Sequence, residues 1–393
     1  MILGDYMEII KQKFKNLDKV LLFLTISLFI FGLLNIVTAS SREAVVRYEA
    51  SLYHYFYKQF IMIIIGLIGS IFIIMFPTKN YKKIIRLPFI LIVFICFYML
   101  FFGSETNGAT NWFKLPIINM AIQPSEFAKI IIIVYLSLLL EKYDNLFIKN
   151  EKVYDKIGII LVVGLIIPII VFLQKDFGTM LIMIMIFFVL FISSSIKTKD
   201  KIKTIVFLII CSILVLTFIY LKKGYIFTDA QMSRFDFYNP CSKYENTGYQ
   251  VCNGYIAINN GGLLGLGLGK SKQIYSYIPE PHTDSVFAII AEENGVLKCS
   301  IIFMFYIIIL YRILKISSNA SSLRGRYICL GVAIYIFMHI FLNLGGLFGI
   351  IPLTGVPLPF LSYGGSYAIS LMCSLALVQR VNIEKKNSLK KIK

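Results

Sequence analysis

Residues 284–314 read DSVFAIIAEENGVLKCSIIFMFYIIILYRIL. A bilayer core of about 30 Å is crossed by roughly 20 apolar helical residues, so this run is too long for one straight span. Glu292, Glu293, Asn294 and Gly295 interrupt it. Charge inside an otherwise apolar run predicts a helix that is broken or partly sunk in a cavity. Nine further apolar stretches lie outward from it, near 19–40, 59–76, 87–103, 124–140, 157–173, 178–196, 204–221, 327–345 and 366–379. The expected fold is therefore all-α, a polytopic membrane protein of about ten transmembrane helices. With 58% apolar and 15% charged residues and a mean hydropathy of +0.78, a soluble globular enzyme is excluded.

An even number of spans puts both termini on one side, and Lys and Arg collect in cytoplasmic connections. Of the 39 Lys and Arg, 26 fall in the segments on the side of the termini and 11 on the other. Six of those 11 sit in one loop, about 222–283, long enough for the rule to lose force. Both termini are expected in the cytoplasm, with residues 380–393 as a basic tail and 222–283 as a long extracellular loop of a single membrane domain, 1–393. The net charge of +18 then reflects orientation and attraction to anionic headgroups, with no role for nucleic acid. The first apolar run is too long for a signal-peptide core and is expected to remain as a helix.

Five of the seven cysteines lie in apolar spans and read as small hydrophobes. Cys241 and Cys252 share the long outer loop, where oxidation is permitted and a disulfide is possible.

The polar residues gather in four outer segments. The first holds Gly108-Ala109, Trp112 and Gln123-Pro124-Ser125-Glu126 with Lys129. Pro124 suits a first helical turn, and Glu126 and Lys129 share one helix face, either as a structural pair or as an interior site. Trp112, the only tryptophan, also fits an interfacial anchor. The second is Gln174-Lys175-Asp176-Phe177-Gly178-Thr179, where Asp176 suits a helix N-cap. The third includes Arg234, the glycine-rich run Gly261 to Ser271, and Glu280, His282, Thr283 and Asp284. Its Gly-Lys-Ser ending lacks the spacing and the preceding strand of a phosphate loop, and backbone packed close to a ligand or a helix is the fitting reading. Thr283 or Asp284 can cap the following helix, yet so many ionisable groups at a membrane boundary also mark a functional site. The fourth, from Pro352 through Thr354-Gly355, Pro357-Leu358-Pro359-Phe360 and Ser362-Tyr363-Gly364-Gly365-Ser366, is uncharged and too rich in Pro and Gly for a helix.

In order and spacing these four segments resemble the signatures of the SEDS family (shape, elongation, division and sporulation), the RodA and FtsW-like peptidoglycan polymerases. The pattern departs at Asn111, where Arg is usual, at Lys175, where Pro is usual, and at Ser285, where Phe is usual. The resemblance implies a glycosyltransferase that polymerises lipid II, the lipid-linked disaccharide-peptide, on the outer face of the bacterial plasma membrane. It also implies a class B penicillin-binding protein, a transpeptidase, as partner. The chemistry needs a base for the attacking sugar hydroxyl and positive charge for the departing diphosphate. Asp284 matches the family's essential carboxylate and is expected to be catalytic as the base. Lys129 and Arg234 lead the candidates for the diphosphate, ahead of Lys270 and Lys272. Trp112, Gln123, Ser125, Glu126, Glu280, His282 and Thr283 are expected to bind substrate. A divalent cation held by Asp284 and a second carboxylate is an open alternative, although no metal-ligand spacing appears. The rival readings are a lipid II transporter or flippase, which inverted repeats would favour, and a non-catalytic scaffold.

Overall fold

Inside a bilayer no water is available to bond the backbone, so an apolar run must satisfy its own N–H and C=O groups as a helix. The computed structural model describes residues 13–47, 49–106, 109–115, 120–224, 239–243, 248–275, 278 and 281–392. All ten apolar stretches are helical in it. In chain order the helices are α1 (Lys19–Arg42), α2 (His54–Met75), α3 (Arg86–Phe102), α4 (Pro124–Lys149), α5 (Val153–Leu173), α6 (Phe177–Ser193) and α7 (Thr198–Lys223). There follow α8 (Tyr249–Gly261), inside the long loop, then α9 (Val286–Ser318), α10 (Leu323–Leu347) and α11 (Gly365–Ile392). Among the described residues seven helices are long and apolar enough to cross a membrane, or eight when the pair bent by 59° at the start of α3 counts as one span. Outside that number stand α4, which carries Glu126, Lys129 and Glu141, and α6, which has 17 residues.

The first outer segment, expected as a loop, is a small antiparallel sheet of β1 (Ser104–Thr106), β2 (Ala109–Leu115) and β3 (Met120–Ile122) in the order β1-β2-β3. It seats the start of α4 beside the start of α6.

The break expected in the long span is at Gly295 (φ 74, ψ 171). A broken helix leaves carbonyls and amides without partners, a cost of several kcal/mol in an apolar setting. The glycine-rich run supplies them. Leu266 N and Gly267 N donate to the carbonyls of Glu292 and Glu293, both at 2.9 Å, and Val296 N and Leu297 N donate to those of Gly262 and Leu263. A Cβ on Gly295 would lie 2.4 Å from Gly265 N, so only glycine allows this approach. The Glu292 carboxylate accepts from Ser271 Oγ, Gln273 N and Asn260 Nδ2, and that of Glu293 from Thr38 Oγ1 and Gly269 N. These two buried glutamates thus hold a structural joint together.

The core lies along α4, α10 and α11. Of the most apolar stretch of α10, 72% is buried, and of α11, 89%, against 6% for α7. Exposed apolar side chains on α7 cost nothing against lipid tails, which are as apolar as they are. At the end of the molecule where α1 begins, α11 continues as a helix through the segment expected as a tail. Arg380 donates to Ile74 O, Asn382 to Asn16 O, and the Glu384 carboxylate accepts from Thr78.

Candidate functional site

The uncharged segment 352–363 is the floor of the site. Its prolines remove backbone donors, so side chains from other elements bond its remaining polar groups. Asn343 on α10 donates through Nδ2 to Val356 O and to Asp284 O, both at 2.8 Å, and so clamps the two chains together. Ser362 Oγ donates to Thr283 O (2.5 Å) and accepts from Leu358 N, and Tyr363 N donates to His282 O (2.8 Å). Residues 282–284 are therefore laid along the fourth segment. The N-cap of α9 is Ser285, whose side chain makes no cap bond, so neither Thr283 nor Asp284 serves as the cap. The half-buried Asp284 carboxyl accepts from Thr283 Oγ1 at 3.0 Å through Oδ1. Gly355, at φ +68, faces Oδ2: a Cβ there would lie 3.8 Å from it.

His282 is buried against the rings of Tyr55 (4.3 Å between centroids) and Tyr363 (5.4 Å). Its Nδ1 lies 3.2 Å from Glu43 Oε2, an ion-pair distance without hydrogen-bond alignment. Burial pushes the Tyr363 phenol up to about 12, so it remains protonated at any physiological pH.

Asp176 joins the first two segments. It caps α6 by accepting from Thr179 N, and its Oδ2 accepts from Asn111 Nδ2 (2.6 Å) and Gln123 Nε2 (2.8 Å). A Cβ on Gly178 would sit 2.6 Å from Val356 Cγ2, so the start of α6 rests directly on the floor.

Beneath it runs a buried polar chain. Lys129 Nζ, with 0% exposure, lies 2.6 Å from Glu126 Oε1 and 3.0 Å from His339 Nε2. His339 Nδ1 is 3.1 Å from Pro357 O. A carbonyl can only accept, so the proton of the neutral ring is on Nδ1 and Nε2 accepts from Lys129. The chain Glu126–Lys129–His339 thus ends on the backbone of the floor, one residue from the carbonyl that Asn343 holds.

Several buried polar atoms around this floor have no partner among the described residues: Asn111 Oδ1, Ser125 Oγ, Glu126 Oε2, Asn343 Oδ1 and Thr354 Oγ1. Native interiors rarely leave such atoms unbonded, and these lie on the segments and helices that meet at the floor.

The family description "Cell cycle protein", covering FtsW, RodA and SpoVE, matches residues 19–387. A relative from Bacillus subtilis (strain 168), "Probable peptidoglycan glycosyltransferase FtsW", is 34% identical over 382 residues, covering 95% of this chain and 92% of the relative. The chain belongs to this family. Stage V sporulation protein E of the same organism is 29% identical over 374 residues, covering 93% of this chain and 96% of its own. Among solved structures, a chain in a peptidoglycan synthase complex superposes with a TM-score of 0.72 at 23% identity, covering 94% of this chain and 98% of that one. The rod shape determining protein RodA of Thermus thermophilus gives 0.65 at 22% identity, covering 93% and 96%. These likenesses show a shared fold over 93–94% of this chain.

Of the family signature residues expected at the site, Asp284, Thr283 and His282 lie on the floor, and Gln123, Ser125, Glu126 and Lys129 lie at its edge and beneath it. Trp112 is half-buried on β2, where its carbonyl accepts from Ser104 Oγ. Arg234 and Glu280 lie outside the described residues. Cys241 and Cys252 form a disulfide, with Cα atoms 4.9 Å apart, which ties residues Pro240–Lys243 to α8. Gln250 on α8 donates to Ser285 Oγ at 2.8 Å, and Asn111 donates to Asp176, so two of the departures from the family pattern have partners of their own. Sequence reading missed His339 and the double role of Asn343. The available signal was two polar residues four apart on one face of an apolar span. Among the described residues no three His, Cys, Asp or Glu are grouped as metal ligands would be.

Proposed function

We propose that this chain is a peptidoglycan glycosyltransferase that polymerises lipid II on the outer face of the bacterial plasma membrane, with both termini in the cytoplasm. The observation that carries this reading is the half-buried Asp284 carboxyl, set where all four family segments converge among unbonded buried polar atoms. The names of the curated relatives support the same activity.

In the reaction an acceptor sugar hydroxyl attacks the anomeric carbon of the donor. The new glycosidic C–O bond forms as the bond to the lipid diphosphate breaks, and the hydroxyl proton passes to the Asp284 carboxylate. Thr283 and Asn343 orient Asp284, the first through Oδ1 and the second through the backbone. Lys129 is sealed from solvent, so it acts by holding His339 and the floor, and the departing diphosphate falls to Arg234 or another cation of the long loop. Ser125, Glu126 and His282 are sealed as Lys129 is and act with it by shaping the floor, and the substrate-binding roles of Trp112, Gln123 and Glu280 belong to the same proposal. So does a class B penicillin-binding protein as the partner that cross-links the product. The test is polymer formation from labelled lipid II by the purified chain with that transpeptidase. A chain that only moves lipid II across vesicles would instead be a transporter.

A further inference from the structure

A basic pocket of about 380 Å³ opens where α1 begins and α9 and α11 end. Segments 15–20, 312–316 and 382–386 wall it. They are remote in sequence and tied together: Arg312 pairs with Asp18, Asn382 Nδ2 donates to Asn16 O, and Lys386 Nζ to Leu17 O. The Gln379 side chain bonds both backbone groups of Asp18. The concavity is thus built by tertiary structure. Its size falls within the range of small-molecule sites, about 300–1,000 Å³.

The lining carries Lys15, Lys19, Arg312, Lys315, Lys385 and Lys386 against one carboxylate, Asp18, which is already engaged by Arg312. Glu384, on the same turn of α11, points away to Thr78 and Arg380. Topology explains why cations lie on this side, but folding three segments so that five lysines line one hollow costs repulsion that a bound anion relieves. Leu17, Val20 and Ile316 complete the lining, and Val20 is 46% exposed at the foot of α1. Cations beside apolar surface at the end of a helix bundle match a ligand that is anionic at one end and apolar at the other.

We propose that the pocket between the start of α1 and the ends of α9 and α11 binds the phosphodiester headgroup of an anionic membrane phospholipid, its acyl chains leaving past Val20. This site is separate from the floor beneath Asp284 and does not depend on the reaction.

The test is a titration of the full-length chain in zwitterionic detergent with phosphatidylglycerol, followed by native mass spectrometry, with phosphatidylcholine and inorganic phosphate as separate arms. Near a membrane each lysine strengthens attraction to an anionic lipid by about fivefold. Lys15→Gln, Lys19→Gln and Lys385→Gln together are therefore expected to weaken phosphatidylglycerol binding by about a hundredfold. The same three positions changed to Arg keep the charge and should bind as wild type. Changing the exposed Lys82, Lys83 and Lys199 to Gln removes equal charge elsewhere and should leave binding within about twofold. The proposal is overturned if the pocket variant binds within threefold of wild type, if both Gln triples lose equally, or if the Arg variant fails to bind. It is also overturned if wild type holds phosphatidylcholine or inorganic phosphate as tightly as phosphatidylglycerol.

Discussion

Replacing Lys129 by Met keeps the length of the side chain and removes its charge. In the structure Lys129 is fully buried, 2.6 Å from Glu126 Oε1 and 3.0 Å from His339 Nε2. The Glu126 carboxylate is also buried, and its Oε2 already has no partner among the described residues. Breaking a buried pair from one side leaves the other charge uncompensated, at a cost of about 3–5 kcal/mol. The bond to His339 adds about 1 kcal/mol. The expected loss is therefore about 4–6 kcal/mol, close to the whole stability of many domains. Glu126→Gln in the Lys129→Met background removes the stranded charge and should recover most of that loss. The assay is a double-mutant cycle on unfolding in detergent, with polymer formation measured on the same four proteins. We expect the double variant to fold and to remain poorly active, because His339 no longer steadies Pro357 and the floor. A single Lys129→Met variant within about 1 kcal/mol of wild type would refute the buried-pair argument, and a fully active double variant would make the pair purely structural.

Gly295→Ala places a Cβ 2.4 Å from Gly265 N at φ +74, so the joint in α9 should not close, seen as loss of monodisperse protein after extraction; normal yield would contradict the backbone account of the glycine-rich run. Asn343→Leu removes two donated bonds, each worth about 1 kcal/mol, and releases Asp284 from the floor. Its turnover should fall by about 10- to 100-fold with lipid II KM within about threefold, whereas a change confined to KM would place Asn343 in substrate binding. On intact cells, a membrane-impermeant thiol reagent should label Cys241 and Cys252 only after reduction; labelling without reductant would contradict the disulfide, and no labelling after reduction would contradict the outer location of α8.

The helices were legible because most of the apolar stretches have about the length a bilayer demands. The break at Gly295 was legible from Glu292 and Glu293, since charge and glycine inside a span have few other uses. What hydropathy does not carry is which distant segment repairs the break. The backbone of 262–267 does so through groups every residue has, and only the glycines hinted at it. His339 was hidden for a related reason, because its partner Lys129 is 210 residues away and each residue alone reads as an isolated polar group in an apolar helix. In the sheet of β1 to β3 the two outer strands have three residues each, too short for alternation to declare itself. The helical end of α11 was masked by its lysines, which suggest a solvated tail although Val381, Asn382 and Ile383 are buried.

The central claim is that Asp284 takes the proton from the acceptor sugar hydroxyl. Asp284→Asn keeps the size of the side chain and its capacity to accept from Thr283, and deletes only its basicity. The Asn343 bond goes to the backbone carbonyl of residue 284 and is untouched. Loss of a general base lowers rate by about 10² to 10⁴. The direct measurement is polymer formation from labelled lipid II by wild type and Asp284→Asn at equal amounts with the transpeptidase partner, together with lipid II binding. The account predicts normal binding and a rate at least a hundredfold lower, and a variant within about threefold of the wild-type rate would contradict it.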